Sequence, residues 1–349
     1  MKAAIITDTH FGVRNDSQTF LNFFDKFYSN VFFPYLIDNN ITTIFHLGDI
    51  VDRRKFINYV TLREFKRIFV QPCIDNKIKL NVIVGNHDIP YRNTNEVNAL
   101  NELFGNEYDL IDIFSDVKDV EFDGCDITML PWINNENYVE SMQFIKNTKS
   151  QVLFGHLEIR GFEMYRGMKN PHGMEAALFD KFDLVCSGHF HHRDRNGNIY
   201  YLGNPYEITW SDYDDPRGFH ILDSESLEFE FIQNPYNMFH KIYYDDSKEM
   251  EKIDYDKLER TCVKVIVVRK TDFTKFDKII DNLYNCNLVE LKIIEDFSEF
   301  EDEAVGEENI NLEDTMTLLS EYVDNIETEL DKERLQNYLR TLYIEAQNI

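Results

Sequence analysis

Residues 80–88 read Leu-Asn-Val-Ile-Val-Gly-Asn-His-Asp: an apolar, β-branched run that stops at a glycine and is followed at once by an amide, an imidazole and a carboxylate. The same grammar recurs four times. Ala3 to Thr7 leads into Asp8-x-His10, Thr43 to Leu47 into Gly48-Asp49, Val152 to Phe154 into Gly155-His156, and Leu184 to Cys186 into Gly188-His189-x-His191. Short apolar runs rich in β-branched residues read as buried strands. Each metal-type side chain follows its strand, and in α/β sheets functional groups gather beyond the carboxyl ends of strands. The glycines at 48, 85, 155 and 188 are expected to turn the chain sharply into a shared crevice. The i, i+2 pairs Asp8/His10 and His189/His191 are expected on one face of an extended segment. The fold class that follows is α/β.

Carboxylate oxygens, imidazole nitrogens and one amide oxygen suit divalent ions, Mn²⁺ first, with Mg²⁺, Zn²⁺ or Fe²⁺ as alternatives. No thiolate joins them, which argues against a closed structural zinc site. Two ions roughly 3.5–4 Å apart activate a water and neutralise charge in a phosphoryl displacement. Asp49 is the natural bridge between them.

These five blocks resemble the calcineurin-like metallophosphoesterase superfamily, whose pattern is D-x-H, G-D, G-N-H, G-H and G-H-x-H in that order. Within it the chain is most similar to SbcD-type double-strand-break repair nuclease subunits, the recombination endonuclease subunits of T-even phages nearest. Gly161-Phe162, Tyr165, Gly167-Met168-Lys169, the block from Ser187 to His191, Gly203-Asn204-Pro205 and Asp215-Pro216-Arg217-Gly218-Phe219 carry that narrower likeness, which weakens after about residue 235. The resemblance implies a four-layer metallophosphoesterase β-sandwich flanked by helices, with a small α/β capping domain and a C-terminal helical hairpin. It implies that Asp8, His10, Asp49 and His191 surround one metal, and that Asn86, His156, His189 and the shared Asp49 surround the other. His87 matches the family histidine that is no ligand but faces the scissile phosphate, where it stabilises charge or protonates the leaving oxygen. His192 is surplus to the pattern, and alternation along the segment points it away from the metals.

Several residues carry blander readings. His46 lies inside a strand pattern and reads as a hydrogen-bonded core histidine; His172, His220 and His240 match no block. Asp52 and Asp88 either orient ligands or cap the helices that follow. Five cysteines, at 73, 125, 186, 262 and 286, form no C-x-x-C pair and read as reduced thiols. No stretch approaches eighteen apolar residues and none reads as a signal peptide, so the expectation is a cytoplasmic protein with no membrane contact, in the bacterial host if phage-encoded.

A net charge of −27 sits awkwardly with a DNA enzyme, because a phosphate backbone is usually gripped by a basic footprint. About half of that charge lies in the last 55 residues: from Glu295 to Ile349 there are 17 acidic and 3 basic residues. Arg53, Arg54, Lys55, Arg160, Arg166, Lys169, Arg193 and Arg195 cluster after the motif strands and either border the crevice or are solvated surface. An acidic body predicts weak DNA affinity alone, with a partner supplying much of the grip.

The domain reading is residues 1–235 for the nuclease domain, 236–294 for the cap, 295–310 for an acidic linker and 311–349 for a helical hairpin. The cap is expected as a β-α-β unit with strands over Val263 to Val268 and Leu288 to Ile294 and a helix over Thr274 to Tyr284. Leu312, Met316, Leu319, Val323 and Ile326 form one apolar stripe of the hairpin, and Leu335, Leu339 and Leu342 a second. The hairpin either packs on this chain or docks in a partner's groove; by resemblance that partner is the coiled-coil base of an ABC-type ATPase. Helices around Val60, Leu62, Phe65, Ile68 and Phe69 and around Val97, Leu100, Leu103 and Phe104 are core or, by resemblance, a homodimer face. The function expected is a two-metal DNA nuclease subunit of an SbcCD-like complex, acting on duplex ends as an exonuclease and on single strands as an endonuclease. The alternatives are a phosphatase or cyclic-nucleotide phosphodiesterase on the same metal site, or a DNA-end tethering subunit with little catalysis.

Overall fold

The computed structural model describes residues 1–104, 108–250, 252–295 and 332. The acidic linker and the C-terminal hairpin expected from the sequence lie, apart from Glu295 and Lys332, outside the described residues.

The first sheet contains β1 (Lys2–Ile6), β2 (Thr43–His46), β3 (Lys79–Ile83) and β4 (Ile111–Phe114). The second begins with β5 (Lys118–Phe122), β6 (Cys125–Leu130) and β7 (Val152–His156), and a short ribbon of β8 (Glu163–Tyr165) and β9 (Met168–Lys169) follows. β10 (Leu184–Gly188), β11 (Asp194–Asn196) and β12 (Ile199–Tyr201) complete the second sheet; β13 (Gly218–Asp223) and β14 (Phe229–Gln233) return to the first. The orders are β14-β13-β1-β2-β3-β4 and β11-β12-β10-β7-β6-β5. β1, β2, β3 and β4 run parallel, as do β6, β7 and β10, so the motif-bearing strands of both sheets deliver their carboxyl ends to one rim.

Period-2 alternation builds the layers. Ala3 and Ile5 of β1 point into the cluster between the sheets with Phe45, Leu47, Ile83, Ile127, Met129, Val152, Phe154 and Cys186. Ala4 and Ile6 face the other way, onto helices Gln18–Phe27 and Tyr59–Phe65. The second sheet covers its outer face with Ile145, Phe179 and Phe182. The result is a four-layer arrangement of helices, sheet, sheet and helices. Asn58 caps Tyr59–Phe65 by accepting the Val60 N–H at 2.8 Å. Phe24 stacks on Tyr206 with ring centroids 3.9 Å apart, and the Tyr206 hydroxyl donates to the Thr9 carbonyl at 2.7 Å, so the aromatic core grips the Asp8–His10 turn.

Of the two apolar stripes weighed as core or interface, Phe65, Ile68, Phe69, Leu100 and Phe104 are core, whereas Val60 and Val97 are exposed, as is Tyr59. The residues after 235 form a three-stranded sheet, β15 (Phe239–Asp245), β16 (Cys262–Arg269) and β17 (Glu290–Glu295), backed by helix Phe273–Tyr284. The sequence reading finds the β-α-β part and misses β15, whose Phe-His-Lys-Ile-Tyr-Tyr-Asp mixes charge with apolar residues because four of its seven positions are only half-buried. Val263, Val265, Phe276, Ile280 and Leu283 give this unit its own core, while Met238, Phe239 and Cys262 pack into the main one.

Candidate metal centre

The five strand ends converge. Asp8, His10, Asp49, Asn86 and His156 form a buried floor; His87, His189 and His191 stand half-buried at the lip. On one side His10 Nε2 lies 3.0 Å from His191 Nε2 and 3.9 Å from both Asp8 Oδ1 and Asp49 Oδ2. On the other, the Asn86 side-chain oxygen meets His156 Nε2 and His189 Nδ1, each at 2.9 Å, and His156 Nε2 lies 3.3 Å from Asp49 Oδ2. Asp49 is the residue common to both groups.

The convergence is achieved differently from the extended i, i+2 geometry expected. Asp8, His10, Asp49 and His189 have φ of 52°, 43°, 56° and 86°. Left-handed backbone at non-glycine residues is uncommon, costs of order 1 kcal/mol each and gathers where surrounding structure over-determines it. Only one of the two pairs stays together: Asp8 and His10 share a group with His191, while His189 joins Asn86, His156 and Asp49. Among the motif glycines only Gly48, at φ 92°, supplies a left-handed turn. Gly85 supplies room instead, since a Cβ there would stand 2.3 Å from the Asp49 amide nitrogen.

Further residues hold the donors. The Asp88 carboxylate accepts four backbone N–H groups, from Asp49 and Gly85 at 2.9 Å, Ile50 at 3.0 Å and Val51 at 3.2 Å. Of the two roles open for Asp88, it therefore orients the loop of the candidate bridge rather than capping a helix. Asp52 lies 3.5 Å from His10 Nδ1 through its side chain, and its carbonyl takes the His87 Nδ1–H at 2.6 Å, leaving Nε2 as the free ring nitrogen. Leu47 O does the same for His156 Nδ1 at 2.7 Å. His192 turns away onto Asp215 at 2.7 Å and Glu163 at 3.5 Å, and His46 meets Thr9 inside the core. Two contributors escape the sequence reading. Trp132 packs its ring 5.0 Å from His189, and its isolated position after β6 gives no signal. Arg217, buried, grips the His191 carbonyl, Asn204, Asp212 and Asp215; it is visible only as part of a quoted block.

Burial and then the Asp49 charge push the Asp8 carboxyl up to about 6, against His156 and His10. Burial likewise raises Asp88 to about 7, helped by Asp49 and opposed by the N–H groups it accepts. Burial opposes charge on His10 and His156, yet the carboxylates around them overcome it and lift both to about 9. Burial holds His189 down to about 3, holds His191 well below the ordinary imidazole value and lowers His87. Carboxylates packed this deeply are costly without a cation. Among the described residues no lysine or arginine pairs with Asp8 or Asp49; the cationic groups within 4 Å of them are imidazoles, and their other partners are the neutral Thr7 hydroxyl and the main-chain N–H groups of His87 and His189. A donor set of this chemistry fits divalent ions.

That electrostatic arrangement sets a pH dependence. In metal-free protein, His10 and His156, raised from 6.5 to about 9, contribute stability that is complete below pH 6.5 and is lost as pH rises through 9. The melting temperature in EDTA should therefore fall between pH 6.5 and 9, by the equivalent of a few kcal/mol at about 1.4 kcal/mol per pKa unit. The stabilisation by added Mn²⁺ should grow over the same interval, because metal displaces those protons. A flat EDTA profile would contradict the histidine assignment.

The calcineurin-like phosphoesterase family matches residues 1–193. The chain belongs to this family. The phosphoesterase is also 35% identical over 350 residues to exonuclease subunit 1 of Enterobacteria phage T4, across 99% of each chain, in agreement with the resemblance carried by the motifs. Solved structures overlap it less well. An archaeal phosphodiesterase is 20% identical over 67% of this chain and 100% of its own, with a TM-score of 0.35. A dimetal phosphatase from Danio rerio is 10% identical over 63% and 91%, with a TM-score of 0.39. Neither bears on the chemistry here. Among the described residues, no helix of the phosphoesterase is long and apolar enough to cross a membrane.

Proposed function

We propose that this phosphoesterase is the two-metal DNA nuclease subunit of a recombination and repair complex, cutting duplex ends and single strands with a coiled-coil ABC-type ATPase as partner. The full-length similarity to a phage exonuclease subunit carries the reading, because the metal donors alone would serve any phosphoester. Asp8, His10, Asp49 and His191 hold one ion, and Asn86, His156, His189 and Asp49 the other, with Mn²⁺ the metal best suited to the mixed set. When bound, the ions supply an activated water and neutralise charge on the phosphodiester. His87, fixed through Nδ1, presents Nε2 to the departing oxygen and protonates it once Nε2 has itself taken up a proton. Asp52 holds His10 and His87 in register, and Asp88 holds Asp49.

Residues 236–294 act as a cap, 295–310 as linker and 311–349 as the hairpin that docks on the ATPase. Exposed Tyr59, Val60 and Val97 form the face of a symmetric homodimer. The basic residues weighed as phosphate contacts are largely engaged within the chain: Arg53 with Asn15 and Asp16, Arg160 with Glu175, Arg193 over the Phe231 ring. Weak DNA affinity in the isolated subunit follows.

The deciding assay measures Mn²⁺-dependent cleavage of linear duplex and single-stranded DNA against hydrolysis of small phosphomonoesters. Cleavage of DNA is expected; efficient phosphomonoester hydrolysis with DNA left intact would establish a phosphatase instead. Deleting residues 309–349 should abolish association with the ATPase while basal nuclease persists. A truncated subunit that still co-purifies with the ATPase would refute the docking role.

A further inference from the structure

Beyond His156 the chain leaves β7 as a narrow ribbon. Gly161 N–H donates to the Asn170 carbonyl and Asn170 N–H to the Phe162 carbonyl, both at 2.8 Å, and β8 and β9 then pair Tyr165 with Met168 across the tip. The ribbon is fastened at three levels, each time to the segment between 187 and 217 that carries His189 and His191. At its root, Leu157 N–H donates to Ser187 Oγ at 3.0 Å and Ile159 N–H to the Tyr201 hydroxyl at 2.9 Å, with buried Phe162 against the Tyr201 ring. At mid-height, Glu163 N–H donates to Asp194 at 2.9 Å, and the Glu163 carboxylate lies 3.5 Å from His192 Nε2. At the tip, Arg166 bonds the Asp214 carbonyl and lies 3.6 Å from its carboxylate.

This arrangement explains the surplus histidine. His192 is adjacent in sequence to the candidate ligand His191 and ties the ribbon to it, so the tip is placed relative to the metal donors by short, direct linkages rather than by a free loop. Directly paired residues of an antiparallel ribbon share a face. Tyr165 and Met168 therefore stand side by side, 48% and 39% exposed. A Cβ at Gly167 would meet nothing within 4 Å, so the turn stands open to solvent. In a chain of net charge −27, residues 165–169, Tyr-Arg-Gly-Met-Lys, carry two cations and no acid.

We propose that this tip is a stacking site for an unpaired base of the DNA strand entering the metal centre, with Tyr165 and Met168 as the platform. The proposal rests on the nuclease reading and adds to it a residue-level preference for unpaired strands. An aromatic face accepts any base, so such a platform is sequence-tolerant. It also gives an acidic subunit a source of strand affinity that does not depend on a broad basic surface.

The test compares wild type, Tyr165→Phe and the double variant Tyr165→Ala/Met168→Ser on a single-stranded oligonucleotide carrying 2-aminopurine. Binding is read by 2-aminopurine quenching in EDTA, cleavage by kcat and KM in Mn²⁺, and the metal centre by the Mn²⁺-induced rise in melting temperature. Wild type and Tyr165→Phe should quench the base. The double variant should lose quenching and raise KM about tenfold, the scale of one lost base–aromatic stack, with the Mn²⁺-induced rise intact. If wild type cuts the oligonucleotide and the double variant does so with unchanged KM and quenching, the stacking site is overturned while the nuclease reading stands. If only association with the ATPase weakens, the tip is a protein contact and the proposal is likewise overturned. If wild type leaves DNA uncut, both readings fall together.

Discussion

His87→Ser should lower kcat on DNA by about 10²–10⁴-fold, the range contributed by one positioned acid or base, while Mn²⁺ affinity and KM change little. The argument is geometric. His87 Nδ1 is committed to the Asp52 carbonyl at 2.6 Å, so its free nitrogen is Nε2, and the ring stands edge-on to His10 with centroids 4.8 Å apart. The main-chain N–H of His87 donates to Asp49 Oδ1 at 2.7 Å, a bond that serine keeps. The substitution therefore removes the imidazole without releasing the candidate bridge. Burial lowers the His87 pKa, with the Asp49 charge opposing, so the ring is neutral at rest and ready to take and return a proton. Isothermal titration with Mn²⁺ separates the two roles open to this residue. A loss of affinity comparable to that from removing Asp8 would make His87 a ligand, and equal cleavage by both proteins would leave it no role in the chemistry.

How much of this site a reader of the sequence can see depends on which property is asked for. Residue type and order suffice to find the donors, because a strand ending in glycine and a ligand is a local pattern, and β1, β2, β3, β7 and β10 all fall where the apolar runs place them. What local pattern cannot carry is the means of convergence. Asp8, His10, Asp49 and His189 adopt left-handed backbone, which Asp and His tolerate better than most residues but which no local pattern specifies, held there by tertiary bonds such as Tyr206 to Thr9 and His189 N–H to Asp8. The partition of His189 and His191 between two groups has the same origin, since it depends on which sheet's loops stand opposite. β5 is missed for a different reason: Lys-Asp-Val-Glu-Phe is an edge strand with no fully buried residue, so its apolar signal is weak. The arginines illustrate the limit of composition. Arg193 and Arg217 look alike in sequence, yet one lies over Phe231 and the other ties the His191 carbonyl to Asp212 and Asp215.

Asp88→Asn, a change of one atom, should be among the most damaging substitutions in the chain. Asp88 is fully buried, and its two oxygens accept four N–H groups from Asp49, Ile50, Val51 and Gly85. Those donors belong to two loops, the turn after β2 that carries the candidate bridge and the turn after β3 that carries Asn86 and His87. A carboxylate is an acceptor at both ends, which is what this site demands. Asparagine retains one acceptor and sets an NH₂ group against the other pair of N–H donors, in a space where Gly85 already packs too closely to allow a Cβ. Two buried donors are stranded, at about 1–3 kcal/mol each, so a loss of about 2–6 kcal/mol is expected. Because the stranded groups include the main chain of Asp49 or of its neighbours, the effect should reach the metal site, with Mn²⁺ affinity reduced about 10–100-fold as for other residues that orient ligands. Glutamate cannot rescue it, since the extra methylene moves the carboxylate out of line with four fixed donors. Thermal melts in EDTA and Mn²⁺ titrations of Asp88→Asn measure the two losses separately. Wild-type melting with full Mn²⁺ affinity would show that the turns after β2 and β3 hold their shape without this carboxylate.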